Sequence, residues 1–250
     1  MWRRHSIAAR KASWDAAKSK RYSILSKVIQ IAAKKWADPK MNPSLDLALQ
    51  KARYWWVPRD IIDRAILKWS WQLEGEDLQE ILYEWYWSWW VALIIKTLTS
   101  NTNRTAQNIK LIMNKYWWSL GQPGSVSRQF TETWIIVTNW KKKTENINWK
   151  EIGSIIPLNN EDFENEVLET AANDFSLEQW IAVIYTAKQD FAETKKQIEN
   201  LGYNIQEADI QYIPNNEVSI ADIEKEWLTN LVNALEDDED IDQVYYNLKE

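Results

Sequence analysis

The sequence predicts an α+β protein, helical over its first 70 or so residues and mixed beyond them. Three observations predict it. From Lys18 to Lys35 the residues Ile24, Leu25, Val28, Ile31 and Ala32 recur at helical spacing. Val91-Ala92-Leu93-Ile94-Ile95 is instead a short unbroken apolar run, the pattern of a buried strand. Helix-like and strand-like segments then alternate to the carboxyl end.

Within the first region, Asn42-Pro43 opens a second helix with Leu45, Ala48, Leu49 and Ala52 at i, i+3, i+4 and i+7. Pro58 takes the favoured first position of a third helix carrying Ile62, Ala65 and Ile66. Lys20, Lys27 and Lys34 recur every seven residues and line one flank of the first helix. Beyond residue 75, Thr105 to Tyr116 reads as a helix with Ile109, Ile112 and Tyr116 inward. Asn103 is expected to cap it ahead of Thr105. Strands follow at 135–137, 181–185 and 210–213, with helical stretches near 161–172 and 190–200 between them. Ser219 with Asp222 resembles a capping box for a helix whose inward residues are Leu228, Leu231, Val232 and Leu235. Val244-Tyr245-Tyr246 closes as a final strand. The run Glu236-Asp237-Asp238-Glu239-Asp240 is either a solvated turn or an acidic functional surface.

The net charge of -6 conceals a steep polarity. Residues 1–73 hold 16 Lys and Arg against 5 Asp and Glu, a charge of +11, which leaves -17 for residues 74–250. A basic region on an acidic body is the electrostatic footprint of a polyanion ligand, and a solvated basic helical face is the plainer alternative. No apolar run approaches the length of a membrane span, and the basic amino terminus lacks a following apolar core, so no secretion is expected. Cysteine is absent, which removes disulfides and thiolate metal sites and accords with a reducing cytoplasm. Histidine occurs once, as His5, with no partners at the spacing of a triad or a metal site. No phosphate-cradling P-loop is present, and the 36 acidic residues offer no particular pair for acid-base work.

The chain has 18 Trp and only 5 Gly, whereas glycine normally supplies about 7% of a protein. Trp36 follows the helical run ending Ala33-Lys34-Lys35, where a left-handed cap is usual, and Trp117 and Trp118 follow the helix ending at Tyr116. Trp85, Trp87, Trp89 and Trp90 crowd a segment where a hairpin turn wants residues tolerant of positive φ. The simplest account is a gene whose UGA codons mean glycine and were read as tryptophan. A genuine aromatic surface for base stacking is the alternative. Trp149, Trp180 and Trp227 fit the account less well, and Trp227 lines up with Ile223 and Leu231 on a helical apolar face.

With the tryptophans read as glycines, Met1-Trp2-Arg3-Arg4-His5-Ser6 and Arg10-Lys11-Ala12 resemble the basic amino-terminal signature of the YebC family. The resemblance continues through Asn42-Pro43, Leu45, Ala48, Lys51-Ala52, Pro58, Asp60, Ile62 and Arg64-Ala65-Ile66. It includes the Tyr83–Ala92 segment, the Asn-Arg motif at 99–105, Lys115–Gly121 with Gly124-Ser125-Val126, and Pro214, Asn216, Val218 and Leu235–Asn247. A polar insertion around Lys141 to Glu151 departs from the pattern.

The resemblance implies a helical domain at 1–75, an α+β domain made of 76–131 plus 208–250, and a second α+β domain, 132–207, inserted into it. It also implies a cytoplasmic, cofactor-free regulator of gene expression that binds DNA, with RNA polymerase as a possible partner. The mitochondrial relative is a translational activator, which keeps a ribosome-associated RNA-binding protein as the second reading. A carboxylate-based enzyme is a distant third. The expected nucleic-acid contacts are Arg3, Arg4, His5, Arg10, Lys11, Lys18, Lys20, Arg21, Lys27, Lys34 and Arg104. Arg104 can serve either a phosphate or the acidic carboxyl-terminal segment.

Overall fold

The computed structural model describes residues 18–34, 36–70, 77–86, 91–116, 119–120, 124–147, 150–178 and 180–249. They divide into two compact units, Glu132–Gln211 and the residues on either side of it, and the fold is α+β.

The amino-terminal part is a helical bundle of α1 (Lys18–Ala33), α2 (Pro43–Tyr54) and α3 (Arg59–Ser70). Its core is Leu25, Ile29, Ala32 and Ala33 of α1, Leu45, Ala48, Leu49 and Ala52 of α2, then Val57 and Ala65. The α2 face is the one its spacing predicts. In α1 the buried stripe is rotated: Ile29 is fully buried, while Ile24, Val28 and Ile31 are only half-buried. Asn42 joins the first two helices, since its Oδ1 accepts the Leu45 N–H (3.2 Å) and its Nδ2 donates to the Ala32 and Trp36 carbonyls. One side chain therefore caps a helix start and satisfies orphan carbonyls at the preceding helix end. Pro58 lies one residue before α3, where its carbonyl accepts from the Ile61 and Ile62 amides.

Chain direction and hydrogen bonding then build a sheet in the order β3-β1-β2-β9 from β1 (Gln79–Tyr86), β2 (Ala92–Thr99), β3 (Ser119–Leu120) and β9 (Ile241–Tyr246). β1 and β2 are antiparallel, and β9 returns from the far end of the chain to pair with β2. Helices α4 (Thr102–Lys115) and α7 (Asp222–Glu236) supply Ile109, Met113, Leu228, Leu231 and Leu235 to the core formed with Leu93, Ile95 and Val244. Ala92 and Ile94 point into a second cluster with Val126, Phe130 and Tyr245. Burial on both faces explains why β2 reads as an unbroken apolar run and not an alternating one.

Two cap positions differ from expectation. α4 is capped by Asn101, whose Oδ1 accepts from the Arg104 amide, and not by Asn103. α7 starts after Ala221, whose N–H donates to the Glu224 carboxylate at 2.9 Å, so Ser219 and Asp222 do not form the box. Ala221 has no side-chain acceptor, and only that half of a capping box exists.

The Glu132–Gln211 unit contains most of β4 (Phe130–Ile147) and β8 (Tyr203–Pro214), together with β5 (Lys150–Pro157), β6 (Asp174–Glu178) and β7 (Ile181–Thr186). The strand order is β5-β4-β7-β6, with β8 also on β4, and α5 (Asn160–Leu168) and α6 (Phe191–Asn200) complete the unit. The polar insertion extends β4 and β5 as a hairpin, Trp140 pairing with Pro157 and Ile147 with Lys150. β8 runs unbroken through position 208.

Tryptophan placement is mixed. Trp56 has φ +55 and completes a Schellman motif after α2: its amide donates to the Arg53 carbonyl (3.0 Å) and that of Val57 to the Ala52 carbonyl (2.9 Å). Trp85 contradicts the turn expectation, because it lies inside β1 at 3% exposure. Trp227 is 53% exposed and Ile223 is exposed too, so that face of α7 is not core as its alignment with Leu231 suggests. Trp36 is exposed just beyond the first helix. Trp87, Trp89, Trp90, Trp117 and Trp118 lie outside the described residues.

Candidate nucleic-acid interface

The seven-residue spacing of Lys20, Lys27 and Lys34 is close to two helical turns, so Lys20 and Lys27 lie along one side of α1 with Lys34 in line one residue past its end. Their surroundings differ. Lys34 pairs with the exposed Asp77 and holds that carboxyl below its ordinary range. Burial pushes the Lys20 ammonium below its usual pKa, while the charges of Glu236, Asp238, Asp237 and Asp242 pull it back up. Arg21 turns to the other side, with its guanidinium 4.3 Å from the centre of the Trp55 ring.

Lys27 is the most constrained. Its Nζ donates to the Leu98 carbonyl (3.1 Å), the Glu239 carbonyl (2.9 Å) and Asp240 Oδ1 (2.9 Å). Those three bonds use every proton an ammonium has. The Asp240 side chain, 6% exposed, also receives Arg104 Nη2 at 2.7 Å and the Thr105 hydroxyl at 2.9 Å, both on Oδ2. Burial alone would raise this carboxyl; donation from Lys27, Arg104 and Thr105 outweighs it and holds the pKa at about 2. The knot thus joins α1, the start of α4, the end of β2 and the α7–β9 turn. Asp238 secures the turn itself, accepting from the Asp240 amide (2.9 Å) and from Asn108 Nδ2 (3.1 Å).

Beside Lys27, a hollow of about 400 Å³ is walled by Ser23, Ser26 and Gln30 of α1, Ile61 and Lys68 of α3, and Tyr22 and Leu78. Gln30 Nε2 donates to the Ser26 hydroxyl at 3.1 Å. A wall of hydroxyl, amide and ammonium groups suits an anionic ligand.

The structure therefore brings Lys20, Lys27 and Arg104 toward one acidic turn, while Lys34, just past the end of α1, pairs with Asp77 and Arg21 lies against Trp55. Lys18 begins α1. Arg3, Arg4, His5, Arg10 and Lys11 lie outside the described residues. Of the two roles open to Arg104, the pairing with the acidic segment is present. Asp240 was not singled out by sequence; the run Glu236–Asp240 was, but five consecutive acids give no sign of which one faces inward. Among the described residues, no three His, Cys, Asp or Glu side chains are placed to share a metal ion, and no helix is long and apolar enough to cross a membrane.

Two family models cover almost the whole chain. Residues 3–71 match the TACO1/YebC N-terminal domain, and residues 78–248 match the TACO1/YebC second and third domain. The chain belongs to the TACO1/YebC family. Its relatives include a probable transcriptional regulatory protein of Listeria monocytogenes, 33% identical over 97% of this chain and 95% of that protein. Another, from Halothermothrix orenii, is 36% identical over 97% of this chain and 91% of its own length and carries the same description. The YebC fold is shared with the crystal structure of a conserved hypothetical protein from Aquifex aeolicus. That match has a TM-score of 0.81 at 29% identity and covers 94% of this chain and 91% of the other.

Proposed function

We propose that this protein regulates transcription by binding DNA through the basic face of its amino-terminal helices, without a cofactor and without catalysing a reaction. The observation that carries the reading is the charge of +11 on residues 1–73, with Lys20 and Lys27 along one side of α1, Lys34 in line just past its end, and a donor-lined hollow beside Lys27. The descriptions of the relatives as transcriptional regulators support it. Lysines and arginines without a reading helix contact phosphates, so binding is mainly electrostatic and weakly sequence-selective. Residues 132–207 are read as an inserted domain, and the cytoplasm as the site of action, with RNA polymerase the natural partner of the acidic body. The test is titration of the full chain with a short duplex DNA at several salt concentrations. Engagement of about four phosphates gives a slope of log affinity on log salt near -3 to -4. Preference for structured RNA over the duplex at fixed salt would move the function to translation.

The tryptophan excess belongs to the same reading: we propose that most of these positions are glycine in the cell. Trp56 supports this, because it occupies the same kind of left-handed helix end as Gly202, which follows α6 with φ +89. The buried indole N–H groups of Trp85 and Trp134, which have no acceptor, also support it. Mass spectrometry of the native protein decides between glycine and tryptophan at position 56.

A further inference from the structure

The hollow between α1 and α3 has an unusual central cation. Lys27 lines it, yet all three of its protons point to Leu98, Glu239 and Asp240. Lys27 keeps 17% of its side chain exposed. Lys68, Ser23 and Ser26 complete a donor wall that can be reached from solvent. The group holding Lys27 is itself a carboxylate in a stretch with six acids among the seven residues 236–242. That stretch presents to Lys20, Lys27 and Arg104 what a nucleic-acid backbone would present: closely spaced negative oxygens.

We propose that this hollow receives a backbone phosphate of the bound nucleic acid, and that Asp240 keeps Lys27, which lines the hollow, and Arg104, which does not, in reserve until phosphates of the same backbone replace it. The acidic turn is then an internal competitor for the DNA site. It rests on the proposed nucleic-acid binding and deepens it by naming the site and its control. The exchange is physically reasonable because the Lys27–Asp240 and Arg104–Asp240 bonds join side chains with rotatable stems. A phosphate offers charged acceptors for the same protons, and the displaced turn remains at a surface bearing the exposed Glu236, Asp237 and Glu239. The competitor also gives selectivity, since an isolated anion gains one contact while a polyanion gains several at once and pays for opening the turn only once.

The experiment compares the full-length protein with Asp240→Asn, Lys68→Ala and the exposed pair Glu236→Gln/Asp237→Asn, each titrated with the same duplex DNA over a range of salt. Asp240→Asn keeps the shape of the knot but removes its negative charge. It is expected to bind about tenfold more tightly with the wild-type salt slope, because Lys27 and Arg104 contact phosphates in both complexes and only the cost of displacing Asp240 is removed. Lys68→Ala is expected to weaken binding about fivefold and to flatten the slope by about 1. Glu236→Gln/Asp237→Asn, which leaves the knot intact, is expected to gain about two- to threefold by lowering the opposing field. If Asp240→Asn does not fold, the other two variants decide alone. Wild-type binding with no change in affinity or slope in these variants overturns the internal competitor and leaves the functional reading standing. Absence of binding to duplex DNA and to an RNA hairpin at every salt removes both.

Discussion

Two loops of this protein each bury the negative end of a carboxylate, and they do it differently. At the 124–127 loop, Glu84 of β1 accepts from three backbone amides: Gly124 (2.9 Å), Val126 (2.7 Å) and Ser127 (3.1 Å). At the α7–β9 turn, the partners of Asp240 are side chains from three other segments: Lys27 of α1, Thr99 of β2, and Arg104 and Thr105 of α4. Both carboxyls are held below their ordinary range despite burial, which alone would raise them. Backbone amides cannot leave without unfolding the loop, so Glu84 is a fixed strut. Lysine and arginine can turn to another anion, so the Asp240 knot is exchangeable. The difference separates a structural ion site from one that a ligand can enter.

The comparison is sharpened first by truncation. Asp240→Ala strands two cations that converge on one buried oxygen pair and is expected to cost about 3 to 5 kcal/mol in urea unfolding. A loss of under 1 kcal/mol would place the cations in solvent and dissolve the distinction. Glu84→Ala leaves three amides unsatisfied and is expected to cost about 2 to 3 kcal/mol, with no change in DNA affinity. A rise in affinity there would make the strut exchangeable as well.

Acid tests the Asp240 knot without mutation. Its carboxyl sits at about 2 in the folded protein against an ordinary 3.8, so the knot's contribution is fully present above pH 4 and is lost as pH falls toward 2. The loss amounts to about 2 kcal/mol. In Asp240→Asn this portion of the acid dependence should vanish; if the two pH profiles run parallel, the knot does not titrate as described. The smallest effect concerns position 56. Relieving a left-handed tryptophan by Trp56→Gly is expected to raise stability by about 1 kcal/mol, read as a higher thermal midpoint. A fall would show that Trp56, although 85% exposed, contributes contacts worth more than its strain.

Much of the fold is legible in local pattern, and the site much less so. Asn42-Pro43 and the four apolar residues of α2 state a helix start and a buried face within one segment, and Val91–Ile95 states a strand covered on both sides. Ile29 escaped because several stripes of α1 are apolar, and only packing against α2 and α3 selects one. Trp227 and Ile223 show the reverse, an apolar alignment on α7 that stays largely exposed. Asn101 and Asn103 are equally good caps by residue type, and the helix start at Thr102, which leaves Asn101 outside and puts Asn103 inside, decides between them. Lys27 could be recognised as basic, but its partner lies 213 residues away, a separation at which no periodicity carries information.

The central claim is that the basic amino-terminal helices are a phosphate-binding surface. Its most direct measurement is the affinity of the full-length protein for duplex DNA as a function of salt, with Lys20→Ala/Lys27→Ala/Lys34→Ala alongside. The account predicts a slope near -3 to -4 for the wild type, weaker binding to every sequence by the triple variant, and a slope flattened by about 1 to 2. Equal affinities with identical slopes for the two proteins would contradict it.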